Sequence, residues 1–213
     1  MKILGLTVGD FQENTYLVID DATRRAIVVD PGAEPDRVVK WIRDSGATLD
    51  AVWLTHAHLD HVGAVAAVKR EWPVPVYMHA GDAPTLARAP QAAAMYGLPF
   101  EAPPPPDREL AEGDSVSVGG LTFSVMHVPG HAPGHVVFHG NGVVLGGDLL
   151  FAGSVGRTDL PLSDPRAMEE SLARICELND DLVVYPGHGP ETTIGRERAT
   201  NPYVVDVARS GRR

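Results

Sequence analysis

Apolar positions in the first part of the chain fall into runs of strand length, at Lys2 to Val8, Thr15 to Ile19 and Ala26 to Val29, punctuated by turn residues. The third run closes on Asp30-Pro31-Gly32. Val38, Val39, Trp41 and Ile42 then recur at three-to-four spacing and predict a helix, and Ala51 to Leu54 reads as another strand. That strand delivers the chain into Thr55-His56-Ala57-His58-Leu59-Asp60-His61. Val62 to Arg70 is alanine-rich with apolar residues every three or four, so a helix is predicted just beyond the histidines.

The middle differs in texture. Pro84 to Pro106 is rich in alanine and proline and ends in four consecutive prolines, which predicts a short helix or two followed by an extended loop. Strand patterning resumes at Ser115 to Val118, Leu121 to Val128, His135 to His139 and Val143 to Leu145. A helix is predicted over Pro165 to Glu177, then a strand at Leu182 to Tyr185, then helix to the C-terminus. Two strand-rich halves, each flanked by helices, predict two sheets packed face to face with helices outside: a four-layer αββα sandwich formed by one domain over residues 1–213.

The 213 residues are 44% apolar and 22% charged, a globular composition. A net charge of −10 makes non-specific attraction to phosphate backbones unfavourable, so nucleic acid is not an expected partner. No apolar run approaches a membrane span or a secretory signal core, and a cytoplasmic setting is expected. The single cysteine, Cys176, excludes an internal disulfide framework and a cysteine-rich zinc site. It continues the helical pattern of Met168, Leu172 and Ile175 and reads as a small buried hydrophobe.

Chemistry concentrates in the histidine motif. His56 and His58 are one residue apart, so they point the same way only in an extended segment, off the end of the preceding strand. Asp60 and His61 fall where the helix starts and can face a second position nearby. Three further polar residues each follow a strand or turn with glycine before them: His131 in Val128-Pro129-Gly130-His131, Asp148 in Leu145-Gly146-Gly147-Asp148, and His188 in Tyr185-Pro186-Gly187-His188. Imidazole nitrogens and carboxylate oxygens suit zinc and, less selectively, manganese or iron.

Thr55 to Gly63, THAHLDHVG, together with His131, Asp148 and His188, resembles the metallo-β-lactamase superfamily over essentially the whole chain. The resemblance implies a first metal at His56, His58 and His131, a second at Asp60, His61 and His188, and Asp148 bridging both. Pro129-Gly130-His131-Ala132-Pro133-Gly134-His135, Gly156-Arg157-Thr158-Asp159 and Asn201-Pro202-Tyr203 resemble the glyoxalase II-like branch. This implies hydrolysis of a small-molecule thioester of glutathione type, such as S-lactoylglutathione, by a hydroxide bridging two divalent ions, most simply zinc. Asp60 is expected to orient that hydroxide as well as bind metal. The Gly-Arg-Thr-Asp stretch is shared with mononuclear iron persulfide dioxygenases, which supply the alternative reading.

Arg157 is expected to grip an anionic part of the substrate, by its resemblance to a basic glutathione-contacting position in glyoxalase II. The competing role is an internal ion pair with Asp159 that fixes the loop. His135 is expected to hydrogen-bond a ligand rather than bind metal, Asp30 to cap the turn near the site, and His79, His127 and His139 to be structural or exposed.

Overall fold

A computed structural model describes residues 1–204. One six-stranded sheet runs in chain order: β1 (Lys2–Val8), β2 (Glu13–Ile19), β3 (Arg25–Val29), β4 (Thr48–Trp53), β5 (Val76–His79) and β6 (Arg108–Leu110). β1, β2 and β3 are antiparallel, and β3 to β6 are parallel. The second sheet comprises β7 (Ser115–Val118), β8 (Leu121–His127), β9 (Val136–Gly140), β10 (Val143–Gly147), β13 (Val183–Pro186) and β14 (Thr192–Thr193). Its order is β14-β13-β10-β9-β8-β7, and only β10 and β13 run parallel. A short hairpin, β11 (Leu150–Phe151) and β12 (Ser154–Val155), stands apart.

Helices α1 (Pro35–Asp44), α2 (Leu59–Val62), α3 (Val65–Glu71) and α4 (Ala83–Tyr96) belong to the first half, and α5 (Pro165–Ile175) and α6 (Ile194–Thr200) to the second. Side-chain alternation along the central strands sorts apolar residues into three separate cores. Leu17, Ile19, Ala26, Val28 and Val52 point one way, into a core shared with Val38, Ile42, Val65 and Val68 of the helices. Val18, Ile27, Val29, Ala51 and Trp53, their strand neighbours, point the other way and meet Phe123, Val125, Val136, Phe138 and Leu145 of the second sheet. Val137, Val144 and Val184 face outward onto Met168, Leu172 and Ile175 of α5. Three cores between four layers are the αββα sandwich, and central strands buried on both faces explain why their sequences are continuously apolar. Trp53 lies between the sheets, its ring 5.0 Å from Phe138 and 5.7 Å from Phe123.

The structure departs from the pattern-based expectations in several places. The helix predicted at Val62 to Arg70 is two helices, α2 and α3, separated at Gly63 and Ala64. The proline-rich middle holds one helix, α4, which continues through Pro90 because that residue is on the exposed side while Ala89 and Ala93 are buried. β5 and β6 were not foreseen. Val76 to His79 is only four residues, bounded by prolines upstream, and Arg108-Glu109-Leu110 is a polar edge strand without alternation. The helix expected at the C-terminus begins with α6, and its extension over 205–213 lies outside the described residues. Cys176 is buried in the core beneath α5, and burial pushes its thiol up to about 11. Among the described residues, no helix is long and apolar enough to cross a membrane.

Candidate metal centre

The parallel strands of both sheets end on the same side, and the loops leaving them carry the polar residues. Asp30 follows β3, His56 and His58 follow β4, Asp148 follows β10 and His188 follows β13. Backbone hydrogen bonds join the sheets at this end: the Val136 amide donates to the Thr55 carbonyl over 2.8 Å, and the Asn14 amide to the Gly187 carbonyl over 2.8 Å. His58 sits at the N-terminal boundary of α2, with extended backbone, so Asp60 and His61 begin a helix while His56 and His58 remain on the strand exit.

Two groups of three result. His56, His58 and His131 place one ligand-type atom each within 4.8 Å of one another, and so do Asp60, His61 and His188. The carboxylate of Asp148 lies 3.4 Å from the Nε2 of His131, in the first group, and 3.4 Å from the Nε2 of both His61 and His188, in the second. These seven residues come from five separate loops or helix starts. Asp30, His56 and His61 also form a close group. Both oxygens of Asp30 are already engaged: Oδ1 accepts from the Thr55 amide at 2.7 Å and Oδ2 from the Thr55 hydroxyl at 2.6 Å. Asp30 is thereby a support for its neighbours.

The outer nitrogens of three histidines are committed. His61 Nδ1 donates to Asp30 Oδ2 at 3.0 Å, and His131 Nδ1 donates to the Arg157 carbonyl at 2.8 Å. The Thr55 hydroxyl, having donated to Asp30, accepts from His56 Nδ1 at 3.0 Å. These bonds fix Nδ1 as the outward, proton-bearing nitrogen and turn Nε2 inward, the orientation that metal-binding histidines need. Against burial, Asp148 and Asp60 hold His61 well above its ordinary value, so its Nε2 keeps a proton that a metal ion would have to displace. His56 Nε2, His61 Nε2 and Asp148 Oδ1 are buried and have no hydrogen-bond partner. Buried polar atoms are rarely left so, and convergent unpaired donors of this type fit divalent metal ions.

Electrostatics agree. Burial alone pushes Asp148 and Asp60 up, but His61 and His188 outweigh it and hold both carboxyls below the usual range. His188 is moved the opposite way to about 9: burial lowers it, and hydrogen bonds to Asp148 and Asp60 prevail. His58 is pushed down to about 3 by burial and by His131. His135 is buried, stacks on His56 at 4.8 Å, and accepts from the Asp148 amide through Nε2 at 3.0 Å. It thereby shapes the loop that carries Asp148. His79 and His127 stack at 4.1 Å outside both groups, and His139 lies on β9.

Glycine is required next to the site on steric grounds. A Cβ at Gly187 would stand 2.2 Å from Asp148 Oδ1, and one at Gly147, where φ is +47°, would stand 2.3 Å from Thr55 Oγ1. Two supporting acids lay outside the sequence reading. Asp82 is buried between the loops that carry His56 and His131, with Oδ2 accepting from the Ala57 amide at 2.6 Å and Oδ1 from the Gly134 amide at 2.7 Å. It also accepts from Thr85 at 3.2 Å, which ties the start of α4 to both loops. The one local signal for Asp82 is an acid between a strand ending at His79 and an alanine-rich helix. Glu13 is buried 3.9 Å from His61 Nδ1, and burial raises its carboxyl well above the ordinary value.

A cavity of about 400 Å³ opens over the centre, with His58, Asp60, His131, Asp148 and His188 in its floor. Arg157 lines it, but its Nε and Nη2 donate to the two oxygens of Asp159 at 2.6 and 2.8 Å.

The chain belongs to the metallo-β-lactamase superfamily, whose model matches residues 8–188. Its fold, family and His/Asp groups define a metal-dependent hydrolase of that superfamily. The hydroxyacylglutathione hydrolase GloC of Haemophilus influenzae is 37% identical over 209 residues, spanning 96% of this chain and 98% of that protein. The crystal structure of TTHA1623 in a di-iron-bound form matches with a TM-score of 0.87 at 45% identity, covering 94% of this chain and 99% of that one. BLEG-1 B3 metallo-β-lactamase matches with a TM-score of 0.89 at 36% identity, covering 95% and 99%.

Proposed function

We propose that this protein is a dinuclear metal-dependent thioesterase acting on small glutathione-type thioesters such as S-lactoylglutathione. The observation that carries the reading is the pair of three-residue groups joined by Asp148 at the floor of one cavity. His56, His58 and His131 would hold one ion, Asp60, His61 and His188 the other, with Asp148 shared. Zinc is the simplest occupant of this nitrogen and oxygen donor set, with iron or manganese also compatible. When bound, such ions supply water activation near neutral pH and polarisation of the substrate carbonyl.

The protein's own residues do the rest. Asp60, kept ionised by its histidine neighbours and lining the cavity, would accept a hydrogen bond from the attacking water and orient it. Asp30, Thr55 and the Arg157 carbonyl hold three imidazoles in one orientation, so the Nε2 atoms converge before substrate arrives. A thiol leaving group, with an ordinary pKa of roughly 8.5, departs as thiolate without a general acid. The one cysteine is in the core under α5, so thiol nucleophilic catalysis has no place at the cavity. Arg157 offers a positive charge at the cavity wall, shared with Asp159. The similarity to GloC supports the thioester class.

The second group of three, Asp60, His61 and His188, weighs against the mononuclear iron dioxygenase reading. Metal analysis of protein purified without added metal, paired with an assay on S-lactoylglutathione, tests the choice. Two metal ions per chain with turnover are expected. One iron with oxygen consumption on a persulfide, and no thioester turnover, would replace the thioesterase reading.

A further inference from the structure

One wall of the cavity is a helix with its own pattern. Thr85, Arg88, Ala89, Ala92, Met95 and Tyr96 all line the cavity. Their spacing of three, one, three, three and one puts them on a single face of α4. The two alanines leave room near the middle of that face. The start of the helix is anchored to both ligand loops through Asp82, so the wall is rigidly related to the metal groups.

Two properties of this wall point to a ligand. Among the described residues, six large hydrophobic side chains are exposed, and four of them, Phe11, Met95, Tyr96 and Leu162, line this cavity. Met95 is 80% exposed, and the Phe11 and Tyr96 rings meet edge to face at 5.1 Å. Apolar residues gathered at the mouth of a cleft mark a surface that is covered when something binds. The second property is charge. Two arginines line the cavity, and they are not equivalent: Arg157 is held by Asp159 through two nitrogens, whereas Arg88 has no carboxylate within 4.0 Å among the described residues. An arginine whose fork is uncommitted is the stronger receptor for an incoming carboxylate.

We propose that α4 is the substrate-recognition wall of this site, with Arg88 anchoring a carboxylate of the thiol moiety while Phe11, Met95, Tyr96 and Leu162 cover an apolar arm beside the thioester. The proposal rests on the thioesterase reading and adds its specificity: a thioester with an anionic end and a hydrocarbon portion, recognised by α4 rather than chiefly by the Arg157 loop.

Binding separates this inference from catalysis. The probes are S-hexylglutathione and its diethyl ester, which share the apolar arm and differ in the two carboxylates, titrated calorimetrically into metal-loaded protein. Arg88→Gln should weaken S-hexylglutathione by about tenfold or more, the scale of a lost charge-assisted hydrogen bond, and leave the diethyl ester within about twofold. Arg88→Lys should retain part of the affinity, Arg157→Ala should lose less than Arg88→Gln, and Tyr96→Ala should weaken both probes alike. Arg88 is exposed, so an unchanged melting temperature is expected for its variants. Wild-type affinity in Arg88→Gln, equal losses on both probes, a larger loss in Arg157→Ala, or no binding of S-hexylglutathione to the wild-type protein would overturn the proposal. Failure of thioester turnover with these binding differences intact would instead overturn the thioesterase reading alone.

Discussion

The Nδ1 of His61 donates to Oδ2 of Asp30 across 3.0 Å, and this contact decides which nitrogen of His61 faces Asp148. The same oxygen accepts the Thr55 hydroxyl, whose own oxygen receives His56 Nδ1, so one carboxylate orients an imidazole from each three-residue group. Asp30→Ala should therefore lower metal affinity by about 10- to 100-fold, the usual cost of removing such a partner. Competition with a chelator measures it. Affinity equal to wild type would show that the imidazoles hold their orientation without Asp30.

Asp148→Ala and His131→Ala should each reduce turnover by several orders of magnitude with the fold retained, since Asp148 stands between the groups and His131 completes the first. Circular dichroism and metal analysis accompany the kinetics. Near-normal turnover with unchanged metal content in either variant would remove that residue from the ligand set.

Asp82→Ala would strand the buried amides of Ala57 and Gly134 and release the start of α4. A loss of about 2–6 kcal/mol is expected, from roughly 1–3 kcal/mol for each of the two buried donors left unpaired. Asp82→Asn keeps one acceptor oxygen and should lose less. Urea unfolding checks both, and a stability change below 1 kcal/mol in the alanine variant, an on-the-order-of threshold for a single hydrogen bond, would mean that the amides find other partners.

The metal-free protein should show opposed pH dependences. His188, raised to about 9 by Asp148 and Asp60 against the lowering effect of burial, contributes stability that is present below its ordinary 6.5 and is lost as pH rises through 9. His58, lowered to about 3 chiefly by burial, contributes stability that is present above 6.5 and is lost as pH falls toward 3. Melting temperature without metal should therefore peak near 6.5 and fall to either side. Metal binding would have to displace the His188 proton and also that of His61, which Asp148 and Asp60 raise well above its ordinary value against burial, so apparent affinity should climb by at least about tenfold per pH unit between 6.5 and 9. Activity should fall below about pH 6 as protons compete for the imidazoles. Chelator titrations across this range measure the slope; a flat affinity would show that no ligand proton is released.

Much of the architecture was legible because it is written in local periodicity. β1 and β7 begin and end where alternation does, and α5 starts at Pro165 behind Asp164, whose carboxylate accepts the Arg166 and Ala167 amides. β5, β6 and the Phe151 hairpin were not legible, since strands of two to four residues carry too few positions to show a period. α4 was blurred by Pro90, whose cost is offset by packing of Ala89 and Ala93 that a linear pattern does not reveal.

By itself the sequence determined the candidate donors and their order: His56, His58, Asp60 and His61 where a strand meets a helix, then His131, Asp148 and His188 each behind a glycine. Strand exits and helix starts are local, so residues there are known to be presented at an edge before any fold is known. Only the tertiary structure decided how those donors are held and what surrounds them. Asp82 binds the Gly134 amide 52 positions away, and His131 donates to the Arg157 carbonyl 26 positions away. It also decided that the Arg157 guanidinium is paired with Asp159 while Arg88, on a helix the pattern barely outlined, faces the same cavity. The physical reason is that a buried hydrogen bond or ion pair depends on which loops the packed sheets bring within about 3 Å, a relation between distant segments that leaves no period in the chain.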